Sequence, residues 1–202
     1  MVNILINRCI FFMIQARAVP DTEEQREVYA YGLELIIHYF INAAILLAIG
    51  LLFGRLTETA ALLLLFGTVQ ANGGGYHAET HGRCLALMVL GVLLFLALLP
   101  LYQAYAVIQP ISVIAGLTAV ICLTPVAHRN HPLSPQKSLQ MGKRAKVTAG
   151  GISFLWCFIY FYGAMPTAAA VIAISMFYLS ISMLAAWVKY RKEKNNEIYN
   201  SN

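Results

Sequence analysis

Apolar runs of membrane-spanning length alternate with short polar breaks along most of the chain. The first clear run covers about 33–53, and the second, about 59–71, is short and ends in Asn72-Gly73-Gly74-Gly75. Thirteen helical residues reach only ~20 Å at 1.5 Å each, less than the ~30 Å hydrocarbon core, so this run either dips into a membrane or continues through the glycines. A third run, about 84–99, stops at Pro100; a fourth, about 104–123, stops at Pro125. A polar loop from His128 to Lys146 follows. The fifth run is about 148–165, ended by Pro166, and the sixth is about 167–188. The pattern predicts an all-α, polytopic membrane protein with about six transmembrane helices. Before the first run, Arg8, Arg17, Asp21, Glu23, Glu24, Arg26 and Glu27 break up Ile4, Leu5, Ile6, Ile10, Phe11, Phe12 and Ile14. That mixture suits an amphipathic helix lying in the interface plane. Three regions result: an interfacial N-terminal helix region, 1–30; a transmembrane region, 31–188; and a polar tail, 189–202.

Composition agrees. Hydrophobic residues make up 59% of the 202, charged residues 11%, and mean hydropathy is +0.67. A soluble domain carries roughly 25% charged residues. A water-soluble globule, a disordered chain and a disulfide-rich secreted domain are therefore excluded. Of the four cysteines, Cys9, Cys122 and Cys157 lie in or beside apolar runs and read as packing residues, with no CxxC spacing. The apolar run 9–14 has no small-residue cleavage pattern after it, so no cleavable signal peptide is expected. The net charge of +5 reports orientation rather than nucleic-acid binding. With a cytoplasmic N-terminus and six spans, thirteen of the 14 basic residues fall on the cytoplasmic side and only Arg55 outside. Both termini and the segment Gly73–Cys84 are then cytoplasmic.

That segment, Asn72-Gly73-Gly74-Gly75-Tyr76-His77-Ala78-Glu79-Thr80-His81-Gly82-Arg83-Cys84, is the most polar stretch between two apolar runs. Ionisable residues at membrane depth are costly and mark function. Three chemistries fit it. One is a nucleophilic Cys84 with His77 as base and acid. On one straight helix these two share a face but stand ~10.5 Å apart along the axis, so the pair requires a break between them, for which Gly82 is a candidate. A helix starting near Cys84 would favour its thiolate. The second is a metal site on His77, His81 and Cys84, with His128 and His131 as further ligands. The order His-Ala-Glu-Thr-His is not His-Glu-x-x-His, however, and Glu79 falls on the wrong face for a general base; no metal and no cofactor is expected. The third is a solvated interfacial segment with Cys84 as a packing residue.

Gly74-Gly75-Tyr76-His77-Ala78, then Thr80, then Cys84-Leu85, resembles the signature of the accessory gene regulator protein B family: the same histidine, six intervening residues and cysteine. Tyr31-Gly32-Leu33-Glu34-Leu35 resembles the stretch that opens that family's first span. Pro125, then Arg129-Asn130-His131-Pro132-Leu133, resembles its loop after the fourth span. The likeness covers nearly the whole chain. Glu79, His81 and His131 depart from it.

The resemblance implies a membrane cysteine endopeptidase of peptide quorum sensing, in which Cys84 is the nucleophile and His77 its base and acid. Such an enzyme removes the C-terminal tail of a short amphipathic propeptide and supports closure of the rest into a thiolactone or lactone ring. Gly74, Gly75 and Glu34 match family positions and take supporting roles, and a homodimer is implied. Between Thr80 and Lys192 there is no acidic residue, and the 128–146 loop holds five basic ones. Lys143 and Arg144 are thus candidates to receive a charged propeptide tail; the same charges also suit plain topology or anionic lipid. A small transporter or an assembly protein without catalysis is the alternative class, and in it Cys84→Ala behaves as a neutral packing change.

Overall fold

A computed structural model describes residues 2–16, 22–76, 80–126, 134–163 and 165–200. Among them every regular element is a helix. These are α1 (Val2–Gln15), α2 (Glu23–Leu52), α3 (Leu56–Gly73), α4 (His81–Ala104), α5 (Ile108–Leu123), α6 (Pro135–Tyr162) and α7 (Pro166–Asn200). Each of the six expected apolar runs falls mainly on one helix, and the protein has the architecture of a polytopic membrane protein. Among the described residues, four helices are long and apolar enough to cross a membrane: Gln25–Leu52, His81–Ala104, Pro135–Tyr162 and Pro166–Arg191. With 18 and 16 residues, α3 and α5 reach ~27 and ~24 Å, short of the ~30 Å core.

The chain divides into two compact units, Met1–Ala48 and Ile49–Asn202. In the first, α1 buries Ile6 and Ile10, one helical turn apart, and leaves Phe11 and Phe12 exposed. Ile10, Phe11 and Ile14 of α1 line a cavity with Arg26, Glu27 and Ala30 of α2. Along α2, Ile36, Tyr39, Phe40, Ile41 and Ile45 are exposed. Such a surface fits lipid rather than water as solvent.

The second unit is built around α7, which packs against α3, α4, α5 and α6, while α3 and α5 also pack on α6. Eight consecutive residues of α7, Ala169 to Met176, are buried. In lipid, burying apolar surface gives helices little reason to associate, and close packing between small residues does the work. The run Ala168-Ala169-Ala170 with Ala173 and Ser175 supplies those small residues. Gly116 of α5 lies against the Met176 backbone, where a Cβ at position 116 would stand 2.7 Å from the Met176 carbonyl carbon. Buried polar groups tie the helices together at one end. Tyr102 and Ser112 hydroxyls are 2.7 Å apart, Gln109 donates to the Tyr102 carbonyl (2.9 Å), and Trp156 Nε1 donates to Gln109 Oε1 (3.2 Å). Near the same end, Gln103 of α4 donates to Thr167 of α7 (2.7 Å); about three turns along both helices, the Tyr178 hydroxyl on α7 donates to the Gly91 carbonyl of α4 (2.9 Å).

Several boundaries differ from those read off the sequence, among them the start of α2 at Glu23 rather than near 33. Pro100 sits inside α4: the residual turn to Ala104 is tolerated because proline costs a membrane helix one backbone bond that its surroundings can replace. Residues 135–146, expected in the polar loop, form the first three turns of α6. Ser134 caps them, its side chain accepting from the Lys137 amide, and Pro135 fits the first turn. The same helix ends at Tyr162, not at Met165, because Gly163 takes a left-handed cap with φ 64°. Likewise the polar residues after Val188 continue α7 to Asn200.

The α5–α7 contact makes a paired prediction. Gly116→Ala should lower the thermal stability of the detergent-solubilised protein, by about 1–3 kcal/mol for a forced overpacking. Gly151→Ala on α6, where a Cβ meets nothing within 4 Å, should raise it by roughly 0.5–1 kcal/mol. Equal effects of the two would contradict the contact.

Candidate functional site

The break between α3 and α4 is shaped by its glycines. Gly73 ends α3 and is buried; a Cβ there would come within 2.8 Å of Met183 Cε and 3.0 Å of Thr124 Cγ2. Its carbonyl accepts from the Val126 amide (3.0 Å). Gly74 turns the chain with φ 75°, a left-handed angle that favours glycine, and its amide caps α3 by donating to the Gln70 carbonyl (2.9 Å). Gly75 is buried with the Gln70 amide and the Ser182 hydroxyl where a side chain would go. The Tyr76 amide then donates to Ser182 Oγ of α7 (3.1 Å). Lys189, two turns further along α7, places its ammonium 5.4 Å from the centre of the Tyr76 ring.

On the far side of the break, Thr80 is extended, with φ −127° and ψ 147°, and its side chain accepts from the Arg83 amide (3.3 Å) as the N-cap of α4. His81 opens the helix and Cys84 is its fourth residue, with its amide bonded to the Thr80 carbonyl (3.0 Å). Cys84 is half-buried; His81, Gly82 and Arg83 are exposed. The expected start of a helix near Cys84 is therefore seen. The expected break at Gly82 is not: Gly82 lies in the first turn of α4, and the break is upstream, where glycine packing ends α3 and a threonine cap starts α4. A helical i, i+4 pairing of His77 with His81 needs a helix through Thr80, and Thr80 is extended.

His77, Ala78 and Glu79 lie outside the described residues, as do His128, Arg129, Asn130 and His131. Of the other expected site residues, Gly74 and Gly75 form the break itself. Lys143 and Arg144 are exposed on α6, beside the buried stripe Gly142, Ala145, Ala149. That stripe holds the break from below: Gly142 packs on Pro125, 2.9 Å from where its Cβ would stand, and Ala145 on Gly73. Glu34 belongs to the first unit, on α2, with its carboxylate 3.7 Å from His38 Nε2 one turn along.

The structure adds Gln70, Thr80, Val126, Ser182 and Lys189 to the site. Thr80 carried a readable signal, a threonine at the start of an apolar run. Ser182 carries none, being one of several serines in α7, and Lys189 reads in the sequence only as one of the basic residues of the polar tail.

A glycine break ends α3, and Cys84 stands in the first turn of α4; the comparison with known families then shows where the chain belongs. The pattern of the family described as Accessory gene regulator B matches residues 6–188. The chain belongs to the accessory gene regulator B family. Its role is accordingly in the processing of accessory gene regulator quorum-sensing peptides. No curated protein and no solved structure matches the chain.

Proposed function

We propose that this family member is a cysteine endopeptidase that removes the C-terminal tail of a quorum-sensing propeptide through an acyl-thioester on Cys84. The observation that carries this is the site's architecture: a glycine break pinned into the helix bundle, followed at once by His77, and a half-buried cysteine in the first turn of the next helix. Thiolate is the attacking form of cysteine, and a helix N-terminus and an adjacent imidazolium both favour it.

The Cys84 thiolate attacks the scissile carbonyl carbon, forming a C–S bond, and the carbonyl oxygen takes the negative charge. On collapse the C–N bond breaks, and His77 delivers its proton to the leaving amine. The tail departs and the rest of the peptide stays on Cys84 as a thioester. A thiol or hydroxyl of that peptide then attacks the same carbon. His77 takes its proton, the C–S bond to Cys84 breaks, and the ring is closed as a thiolactone or lactone. Exclusion of water lets the ring close before hydrolysis. The glycine-segment amides of Gly74 and Tyr76 are already committed to Gln70 and Ser182. The positive end of the α4 helix dipole, beside Cys84, supplies oxyanion stabilisation instead.

The thirteen-to-one basic asymmetry supports a multi-pass protein of the cell membrane with both termini and the site on the cytoplasmic side. The exposed apolar helix faces suit lipid contact, and the family likeness supports a homodimer. Glu34 keeps a supporting place. Lys143 and Arg144 suit reception of an acidic tail as the propeptide arrives.

Two outcomes test this. Cys84→Ala, Cys84→Ser and His77→Ala should insert normally yet lose tail removal from a co-expressed propeptide, read as peptide mass; undiminished cleavage by any of the three overturns the dyad. Lys143→Glu with Arg144→Glu should slow tail removal roughly tenfold at low salt and much less at ~1 M salt, where screening shortens to ~3 Å. A salt-independent loss contradicts electrostatic docking.

A further inference from the structure

The residues placed in the mechanism so far leave unexplained what aims His77. It is the next residue after Tyr76, and the backbone of Tyr76 is held by one side chain from a distant part of the chain, Ser182 of α7. The contact is specific. Ser182 Oγ accepts from the Tyr76 amide at 3.1 Å, and it stands 2.8 Å from where a Cβ on Gly75 would be. Only a glycine at 75 lets the backbone come this close. Gly73 is fixed by the Val126 amide and by Met183, the neighbour of Ser182. Lys189 lies on the same face of α7, seven residues on, and rests over the Tyr76 ring. The second half of α7 therefore meets Gly73, Gly75 and Tyr76 in succession, ending at the residue before His77.

We infer that Ser182 is a positioning residue: by holding the Tyr76 amide it anchors the residue that precedes His77, and the proposed pairing of His77 with Cys84 depends on that anchor. The inference rests on the dyad proposed above. It assigns α7, the central helix of the bundle, a direct part in the geometry of the site. Loss of the hydroxyl leaves the Tyr76 amide without its partner inside the protein, and the segment shifts to find another. A shift of an ångström between reacting groups is large in catalytic terms.

The test does not need the propeptide. In a chain whose Cys9, Cys122 and Cys157 are replaced by alanine, the rate of Cys84 alkylation by iodoacetamide is measured in native membranes across pH. An imidazolium beside the thiolate extends reactivity to low pH. His77→Ala should move the half-maximal rate to higher pH by about one unit. Ser182→Ala should move it in the same direction by a comparable amount, and Ser182→Thr, which keeps the hydroxyl, should restore the original profile. A Ser182→Ala profile identical to the parent's, with His77→Ala shifted, overturns the inference and leaves the dyad standing. A Ser182→Ala protein that loses tail removal while its profile is unmoved marks Ser182 as merely structural and also overturns it. If His77→Ala leaves the profile where it was, the dyad itself falls.

Discussion

A helix broken inside an apolar bundle must find its hydrogen-bond partners within the protein, and the backbone around the α3–α4 break meets that constraint at each end. Where the chain leaves α3, Gly73 gives its carbonyl to Val126, Gly74 gives its amide to Gln70, and Tyr76 gives its amide to Ser182. Where the chain enters α4, Thr80 takes the Arg83 amide. Each partner comes from the protein, from four different parts of the sequence. The non-helical residues Gly74 to Tyr76 can thus be held at the end of α3, and Cys84, the proposed nucleophile, lies in the first turn of the helix that follows the break.

The same constraint explains why α7 lies at the centre. Lipid gives helices little hydrophobic reason to associate, so the bundle relies on close approach and on polar links. The alanine-rich first half of α7 provides close approach, seen where Gly116 meets Met176. Its second half turns to the break with Ser182, Met183 and Lys189. The two halves divide the labour: the first assembles the bundle, and the second shapes the segment from which the chemistry is proposed to arise. The short helices α3 and α5 fit this scheme, since each ends at the site rather than beyond it, α3 at Gly73 and α5 at Thr124.

Much of this was legible in the chain. Apolar length marked every helix after α1, because the lipid core demands it. The run of glycines marked where the second apolar run stops, but left open whether the helix continued through it, and Gly74 supplies the left-handed turn that closes α3. The legible part stops where three-dimensional contact begins. Pro100 reads as a helix end yet lies within α4, since a proline removes only one bond. Residues 135–146 read as a loop because they are polar, but polarity does not forbid a helix that Ser134 caps and that runs on into an apolar span. Gly82 looked like the hinge because it stands between His77 and Cys84; the actual turn needs the packing of Gly73 against α5, α6 and α7, which no local pattern records. Ser182 lies more than a hundred positions from Tyr76, and nothing in its neighbourhood sets it apart from Ser175 or Ser180.

The central claim is that the propeptide passes through a covalent bond to Cys84. It is tested most directly by rapid acid quenching of membranes turning over a propeptide whose internal ring-closing Cys or Ser is replaced by alanine, followed by mass analysis of the Cys84-containing peptide. The account predicts an added mass equal to the propeptide without its tail, released by neutral hydroxylamine as a thioester should be. A tail removed at full rate, with Cys84 unmodified at every quench time, would contradict it.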